Sequence, residues 1–295
     1  MVRLCMTVNK LFKLPVHPFN LHNEGKKTYA QWQYEKGIDT IKFYLKHTDV
    51  DEMFKDKVVL DIGCGAGGKT VFYASKGVKK IIGIEILEKY RDEAESLATE
   101  YGLEDKFEFV QGDASNMPFE DEIFNTIIMN DAMEHVDKPE KVLEECYRVL
   151  KKDGKLYLNF PPYNHPYGAH LSDAIGIPWV HVFFSEKTLI NTYKELVKNL
   201  PDGAERINFR ISKKEDGTEY FSYINKMSIK RANSILQNSN FKLEYYSEEP
   251  LRNFLKYPAK MPVLKEFLVK MVVCVLRKWT SGDGEPAGTV LGGPA

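Results

Sequence analysis

Apolar and polar residues between positions 57 and 160 follow two alternating patterns. Short β-branched runs predict strands, and the longer amphipathic stretches between them predict helices. The predicted strands are 58–60, 80–85, 107–111, 124–129 and 155–160. Strands that alternate with helices of this length form βαβ units. The sequence therefore predicts an α/β fold with a parallel sheet whose ligand lies at the carboxyl ends of the strands.

The segments on either side of this region show other patterns. Upstream, Trp32, Ile38, Ile41 and Tyr44 recur at helical spacing, and a helix over 28–47 is expected to cover the sheet or its ligand. Downstream, a stretch rich in aromatic residues, histidine and proline predicts a helix over 186–199 and a hairpin near 207–224. A helix over 228–238 and strands over 241–246 and 271–276 follow.

These patterns predict five regions along the chain. They are an N-terminal helical cover (1–56), a Rossmann-like core (57–160), an inserted substrate cap (161–227), a C-terminal completion of the sheet (228–279) and a glycine- and proline-rich disordered tail (280–295).

Composition narrows the class of protein. A net charge of −1 over 295 residues produces no overall field toward nucleic acid, so no nucleic-acid partner is expected. The four cysteines show neither metal-ligand nor disulfide spacing, which fits a reducing, cytoplasmic setting. The N-terminus lacks the pattern of a signal peptide, and the apolar run 267–276 is too short to span a bilayer, so no transmembrane segment is expected.

A glycine loop follows the first predicted strand, with the sequence Asp-Ile-Gly-Cys-Gly-Ala-Gly-Gly-Lys-Thr over 61–70. Such a loop lets the backbone approach a ligand closely while the N–H groups of the next helix face it. Gly63, Gly65 and Gly68 also fit the dinucleotide pattern, and Gly63, Gly68, Lys69 and Thr70 fit the phosphate-loop pattern. The loop alone leaves these readings open.

Three acidic residues at successive strand ends separate the alternatives. Asp61 would repel a pyrophosphate or triphosphate but suits a ligand with an ammonium and a sulfonium. Glu85 ends the second strand, where an acid accepts ribose hydroxyls, a feature that also suits NAD. Asp113 follows the third strand, where a carboxylate accepts the exocyclic amine of adenine.

The chain resembles class I S-adenosylmethionine (SAM)-dependent methyltransferases, and within them the type 11 group. The resemblance covers roughly 57–160 and rests on 58–67, Ile84-Glu85, Gly112-Asp113-Ala114, Glu134-His135-Val136 and 149–156. It implies SAM as cofactor and a Rossmann-like, mostly parallel seven-stranded sheet with helices on both faces, whose last strand is antiparallel and formed by 271–276.

The resemblance also implies which residues bind the cofactor. Asp61, Gly63 and Gly65, with Gly67 in the same loop, would surround the methionine moiety. Glu85 would hold the ribose. The remaining positions are Asp113 and Ala114 at the adenine and Asn130 beside the sulfonium.

The predicted reaction is in-line displacement of the methyl group onto a small-molecule acceptor, at oxygen. A base is needed only where the acceptor loses a proton. The candidate bases are His135, just past the fourth strand, and His170 and His181 in the inserted segment; no metal site is predicted. Two alternatives stay open, a phosphate-loop NTPase and a SAM-binding protein without catalytic activity.

Overall fold

The computed structural model describes residues 1–279, so the prediction of a disordered tail lies outside the described residues. The chain divides into two compact units. The sheet unit comprises 29–160, 229–249 and 271 onward. The accessory unit comprises 1–28, 161–228 and 250–270.

The strands carry the apolar runs of the sequence. In chain order they are β1 (Val58–Ile62), β2 (Lys80–Glu85), β3 (Phe107–Gln111), β4 (Phe124–Asn130), β5 (Leu150–Phe160), β6 (Ile211–Lys213), β7 (Glu219–Phe221), β8 (Phe241–Pro250) and β9 (Val269–Lys278).

Seven of these strands form one sheet in the order β3-β2-β1-β4-β5-β9-β8. Neighbouring strands from β1 to β5 are parallel, and β9 is antiparallel to β5, with Phe160 opposite Val272. The predicted mostly parallel sheet with an antiparallel last strand is therefore confirmed. The order reverses direction at β1 and β4, which is where open α/β sheets bind their ligands.

Helices connect the strands and form most of the accessory unit. They are α1 (Val2–Asn9), α2 (Pro18–Asn23), α3 (Tyr29–Glu35), α4 (Gly37–Ile41), α5 (Val50–Phe54), α6 (Gly68–Ala74), α7 (Arg91–Glu100), α8 (Pro139–Val149), α9 (Val180–Phe183), α10 (Glu186–Val197), α11 (Gly203–Arg210), α12 (Ile229–Gln237) and α13 (Pro262–Leu268). Short 3-10 helices lie at Tyr44–Lys46, Glu88–Tyr90, Asn253–Leu255 and Pro258–Lys260.

The core of the sheet unit explains why its strands are continuous apolar runs. Val59 and Ile128, from β1 and β4, are fully buried in one cluster with Val71 of α6. Leu60, the neighbour of Val59, is buried as well. Strands covered on both faces need apolar residues at successive positions rather than at alternate ones.

The accessory unit has its own apolar core, in which Cys5 of α1 packs with Leu189 and Tyr193 of α10. The strands β6 and β7 form a two-stranded antiparallel hairpin in this unit. Residues 1–28 therefore belong with 161–228, whereas the sequence pattern predicts that they form one region with the rest of 1–56. Apolar periodicity marks a face as buried without showing which distant segment covers it.

Three predicted elements differ from the observed ones. The helix over 28–47 is divided into α3, α4 and a 3-10 helix, because the backbone at Gly37 lies directly against the ring of Phe72. Residues 207–210, predicted in the hairpin, end α11 instead. The fifth strand begins at Leu150 rather than at 155, since a register shift lets it pair with Phe124 beyond Gly154.

Within residues 1–279, no helix has both the length and the apolar character that crossing a membrane requires.

Candidate functional site

The glycine loop connects the end of β1 to the start of α6. Gly63, Gly65 and Gly67 all have positive φ, at 72°, 53° and 78°. The N–H of Gly63 donates to the carbonyl of Ile84 (2.9 Å), so the loop is held against the end of β2. The three predicted glycines therefore form one compact turn at the carboxyl edge of the sheet.

Close packing requires glycine at two positions where the loop meets α6, Gly67 and Gly68. A Cβ at Gly67 would lie 2.5 Å from Cβ of Ala94 in α7, and one at Gly68 would overlap the carbonyl oxygen of Ala30 in α3. Gly67 also needs positive φ, which L-residues rarely adopt. The loop is thus fixed between α3 and α7 and presents its backbone toward the strand ends.

Asp61 is the penultimate residue of β1 and is 3% exposed. Its Oδ2 accepts a hydrogen bond from the Thr70 hydroxyl (2.5 Å). Burial raises the pKa of Asp61 to about 6, although the Thr70 hydroxyl and the Lys69 ammonium both act to lower it. A cationic ligand beside this carboxylate would favour the ionised form and would offset part of the cost of burying it.

Glu85 bonds to the loop backbone. Its Oε2 accepts from the N–H of Gly65 (3.0 Å), and its Oε1 accepts from the N–H of Leu87 (3.1 Å). The carboxylate assigned to the ribose thus also holds the loop in place. Each oxygen retains a lone pair, so these bonds leave Glu85 able to accept from ribose hydroxyls.

Asp113 and Ala114 lie one strand further along the same edge. The N–H of Gly112 donates to the Glu85 carbonyl (2.9 Å), which joins the end of β3 to the end of β2. Asp113 is exposed, and its Oδ1 accepts from the N–H of Ser115 (2.8 Å). The structure therefore places Asp61, Glu85 and Asp113 at the ends of three neighbouring strands, as the sequence pattern predicts.

Asn130, predicted beside the sulfonium, ends β4 and is buried in a hydrogen-bond network. Its Oδ1 accepts from Tyr44 (2.6 Å) and from the Asn159 amide (2.6 Å), and its Nδ2 donates to Tyr73 (3.0 Å). These bonds fix the amide and join β4, β5, α6 and the 3-10 helix at Tyr44. The role of Asn130 at a cofactor stays a prediction.

Lys69 and Asp131 form an ion pair across the same edge, with Nζ 2.9 Å from Oδ2. Asp131 follows β4 with φ 52°, which directs the chain into the turn that carries Glu134 and His135. Glu134 is buried, and its pKa is raised well above its usual range by burial and by the nearby Asp131 carboxylate. His135 is about one-third exposed, with Nε2 3.8 Å from Oε1 of Glu134.

Two residues of α3 at the glycine loop were missed by sequence reasoning. Measured from a Cβ placed on Gly65, Tyr29 Cε1 lies at 3.7 Å and Gln33 Nε2 at 3.8 Å. Gln33 is 4% exposed, and no group within residues 1–279 donates a hydrogen bond to its Oε1. The sequence offers only a weak signal for this pair, namely that the polar Gln33 follows the aromatic Tyr29 by one helical turn.

Tyr34, a neighbouring aromatic residue of α3, is partly buried against other aromatic side chains. Tyr34 stacks on Tyr101 with ring centroids 4.0 Å apart and contacts Phe72 edge-on. Tyr34 therefore has a packing role, whereas Tyr29 and Gln33 of the same helix lie at the glycine loop.

The other two candidate bases belong to the accessory unit. Burial lowers the pKa of His181 to about 4, and its ring lies 4.7 Å from that of Tyr163. His170 has φ 51°, and its carbonyl accepts from Nε of Arg210 (3.4 Å). Their part in proton transfer stays a prediction.

Asp173 lies close to these histidines in sequence and is part of a buried ion cluster. Arg206 Nη1 lies 3.0 Å from its Oδ2 and Arg210 Nη2 lies 3.2 Å from its Oδ1. The hydroxyl of Tyr193 donates to the same carboxylate (2.7 Å). These contacts give Asp173 a structural role in the core of the accessory unit.

Comparison with known proteins finds a methyltransferase domain within the sheet unit. Residues 60–158 match the family model described as a methyltransferase domain. The chain is 37% identical over 99 residues to norajmaline N-methyltransferase of Rauvolfia serpentina, which covers 34% of each protein. It is 34% identical over 111 residues to the chloroplastic tocopherol O-methyltransferase of Arabidopsis thaliana, which covers 38% of this chain and 32% of that protein. The alignments thus span about a third of these relatives.

Solved structures share the fold. The YcgJ protein of Bacillus subtilis superposes with a TM-score of 0.51 at 17% identity and covers 82% of this chain and 99% of its own. A structure described as a putative sarcosine dimethylglycine methyltransferase from Galdieria sulphuraria gives a TM-score of 0.53 at 17% identity, over 88% and 97% of the two chains. Residues 60–158 therefore match a methyltransferase domain, and the sheet unit that contains them has the fold of class I SAM-dependent methyltransferases.

Proposed function

We propose that the protein transfers a methyl group from SAM to an oxygen of a small-molecule acceptor by in-line displacement. The observation that carries the proposal is the glycine loop bonded to Glu85 and flanked by the buried Asp61. The relatives named above act, by their names, on norajmaline and tocopherol, which supports a small-molecule acceptor.

The charges and buried polar groups of this edge fit SAM. Asp61 offers a buried carboxylate with a raised pKa, which favours a cationic neighbour. Gln33 Oε1 supplies a buried acceptor beside the glycine loop to which no group in the described chain donates, and the methionine ammonium of SAM is a donor of the required kind. Gly63, Gly65 and Gly67 keep the loop backbone close to the ligand.

The other cofactor contacts follow the strand order. Glu85 would accept from the ribose, and Asp113 with Ala114 would border the adenine. When bound, SAM supplies an electrophilic methyl group on a positively charged sulfur. The chain itself then has to align the acceptor oxygen with the methyl and to exclude water.

His135 is the candidate base that the sheet unit contributes. When His135 takes a hydroxyl proton, its imidazole would become charged 3.8 Å from Oε1 of Glu134, and that charge would favour ionisation of the buried carboxyl. His170 and His181 are the alternatives. A pKa of about 4 makes His181 a weak base at neutral pH.

The phosphate-loop alternative is less well supported by the same contacts. Lys69 is paired with Asp131, and the hydroxyl of Thr70 donates to Asp61. Both side chains that this pattern assigns to phosphate and magnesium therefore have partners within the fold. A SAM-binding protein without activity remains the second candidate, because a fold does not imply a function.

The first test is calorimetric titration of the full chain with S-adenosylhomocysteine, with magnesium-ATP in parallel. Micromolar binding of the first and none of the second is expected. Glu85→Gln should weaken binding by about tenfold or more, whereas Glu104→Gln, at an exposed carboxylate, should leave it unchanged. Binding of magnesium-ATP alone would overturn the proposal.

The second test uses SAM with an isotopically labelled methyl group and a panel of hydroxylated, aminated and carbon-nucleophile acceptors. We expect the label on an oxygen atom of the acceptor. His135→Ala should reduce this transfer and leave the affinity for S-adenosylhomocysteine unchanged. Label on nitrogen or carbon would replace the oxygen assignment. Binding without transfer to any acceptor would favour the non-catalytic alternative.

A further inference from the structure

The loop between β8 and β9, residues 251–268, is closed at its base and exposed along its length. The N–H of Leu251 donates to the carbonyl of Leu268 (2.8 Å), which joins the two ends. Between them lie the 3-10 helices Asn253–Leu255 and Pro258–Lys260 and helix α13, which packs against the second of them. Ala259 is the one buried residue of the loop.

Large apolar side chains in this loop are exposed. Phe254 is 78%, Tyr257 80%, Met261 55% and Val263 78% exposed. A single exposed apolar residue is ordinary, but four within ten positions of one folded loop concentrate exposed apolar surface in a short segment. Exposed apolar clusters of this kind mark surfaces that bind a partner.

Basic residues are interleaved with this patch. Arg252, Lys256, Lys260 and Lys265 accompany one acid, Glu266, so the loop carries +3 in a chain whose net charge is −1. The first three recur every four residues, and Lys256 lies between the exposed Phe254 and Tyr257. The positive charge is therefore concentrated where the apolar side chains project.

We propose that the 251–268 loop docks on the surface of an anionic lipid bilayer. Phenylalanine, methionine and valine gain from the acyl boundary, tyrosine suits the headgroup level, and lysine and arginine pair with lipid phosphates. Nucleic acid would use the cations and stack on the aromatic rings but would gain nothing from exposed Met261 and Val263. The composition of the loop therefore favours lipid.

The test is co-sedimentation of the full chain with vesicles of phosphatidylcholine alone or with one-third phosphatidylglycerol. Binding to the anionic vesicles alone, weakening as salt rises, is expected. The double variant Lys256→Gln with Lys260→Gln should weaken binding by about thirtyfold. Phe254→Ser with Tyr257→Ser should weaken it by about tenfold or more.

A matched control removes the same charge elsewhere in the accessory unit. Lys213→Gln with Lys214→Gln, at exposed lysines of the β6–β7 hairpin, should leave vesicle binding within about twofold. Affinity for S-adenosylhomocysteine should be the same in all variants, and it shows that each remains folded. This readout also separates the lipid proposal from the methyltransferase proposal, since either can fail alone.

Three results would overturn the proposal. The first is absence of binding to the anionic vesicles, or equal loss in the hairpin control. The second is a concentration-dependent dimer that Phe254→Ser with Tyr257→Ser abolishes, which would make a second copy the occupant. The third is binding of a labelled oligonucleotide, lost in the Lys256 and Lys260 variant, without vesicle binding.

Discussion

Lys69 Nζ lies 2.9 Å from Oδ2 of Asp131, so the first turn of α6 is joined to the residue that follows β4. The ammonium that a phosphate-loop pattern would direct at a nucleotide is thus neutralised by a carboxylate of the same sheet edge. The contact separates two readings of one loop that sequence alone left open.

Lys69→Met tests this reading. Affinity for S-adenosylhomocysteine should stay within about threefold, and stability should fall by about 1 kcal/mol or less because the ion pair is partly exposed. Calorimetry and urea unfolding give the two values. Magnesium-ATP binding that this substitution removes would show instead that the lysine serves a phosphate.

Gly67→Ala tests the close approach of the loop to α7. Gly77→Ala is its matched control, because Gly77 also has positive φ, at 83°, but a Cβ there would meet nothing within 4 Å. Both substitutions should cost about 1 kcal/mol for the left-handed backbone. Gly67→Ala should cost about 1–3 kcal/mol more through its overlap with Ala94 and should also weaken cofactor binding. Equal losses in urea unfolding would contradict the packing argument.

Cofactor affinity should depend on the ionisation of Asp61. With a pKa of about 6, Asp61 is ionised above that pH and loses its charge below it. Binding of S-adenosylhomocysteine should therefore weaken by up to about tenfold per pH unit as pH falls below 6. Asp61→Asn should bind weakly at pH 8 and show no such dependence. A pH profile shared by both proteins would assign the effect to another group.

In the unliganded protein, the raised pKa of Asp61 makes the free energy of unfolding change with pH in the direction opposite to cofactor affinity. Between about pH 4 and pH 6 the folded state binds more protons at Asp61 than the unfolded state, so its contribution to stability decreases as pH rises. Saturating cofactor should reverse this trend, which urea unfolding at several pH values measures.

Tyr44→Phe tests whether Asn130 acts through folding. The substitution removes one of the two hydrogen bonds to Asn130 Oδ1. We expect a loss of about 1 kcal/mol in stability with little change in cofactor affinity. Asn130→Ala should cost about 2–4 kcal/mol, since Tyr44 and Asn159 both lose a buried partner. If Tyr44→Phe weakens cofactor binding as strongly as Asn130→Ala, the network is part of the binding site.

Asp173→Asn tests the ion cluster of the accessory unit. Arg206 and Arg210 are buried, and removal of the charge between them should cost about 3–5 kcal/mol. Asp202→Asn is the control, because Asp202 pairs with Arg206, accepts a hydrogen bond from the exposed Asn23 and is itself 23% exposed. It should cost about 1 kcal/mol or less. Urea unfolding followed by fluorescence and circular dichroism measures the loss of stability in each variant. Similar losses would show that the buried cluster contributes no more to stability than the partly exposed pair.

The sequence predicted the sheet, and the meeting of three acidic residues at one of its edges, because the signals there are local. Apolar runs locate β1 to β5, and Asp61, Glu85 and Asp113 follow strands whose ends must meet at one edge of a parallel sheet. The antiparallel last strand came from the resemblance rather than from the pattern.

Contacts between distant segments were not predictable in this way. Gln33 faces the glycine loop because Gly68 packs against the carbonyl of Ala30. Asp173 lies near His170 and His181 in sequence, whereas its partners Arg206 and Arg210 lie more than thirty positions later. Spacing along one segment contains no information on either contact.

The pairing of Phe160 with Val272 constrains how the protein is made. The ribosome adds the 111 residues that separate them over roughly ten seconds. Until then the outer edge of β5 offers unpaired backbone groups beside a folded or folding parallel core. Nascent chains in this interval are therefore the species most open to aggregation or chaperone capture, and slow codons within 161–268 would prolong that interval.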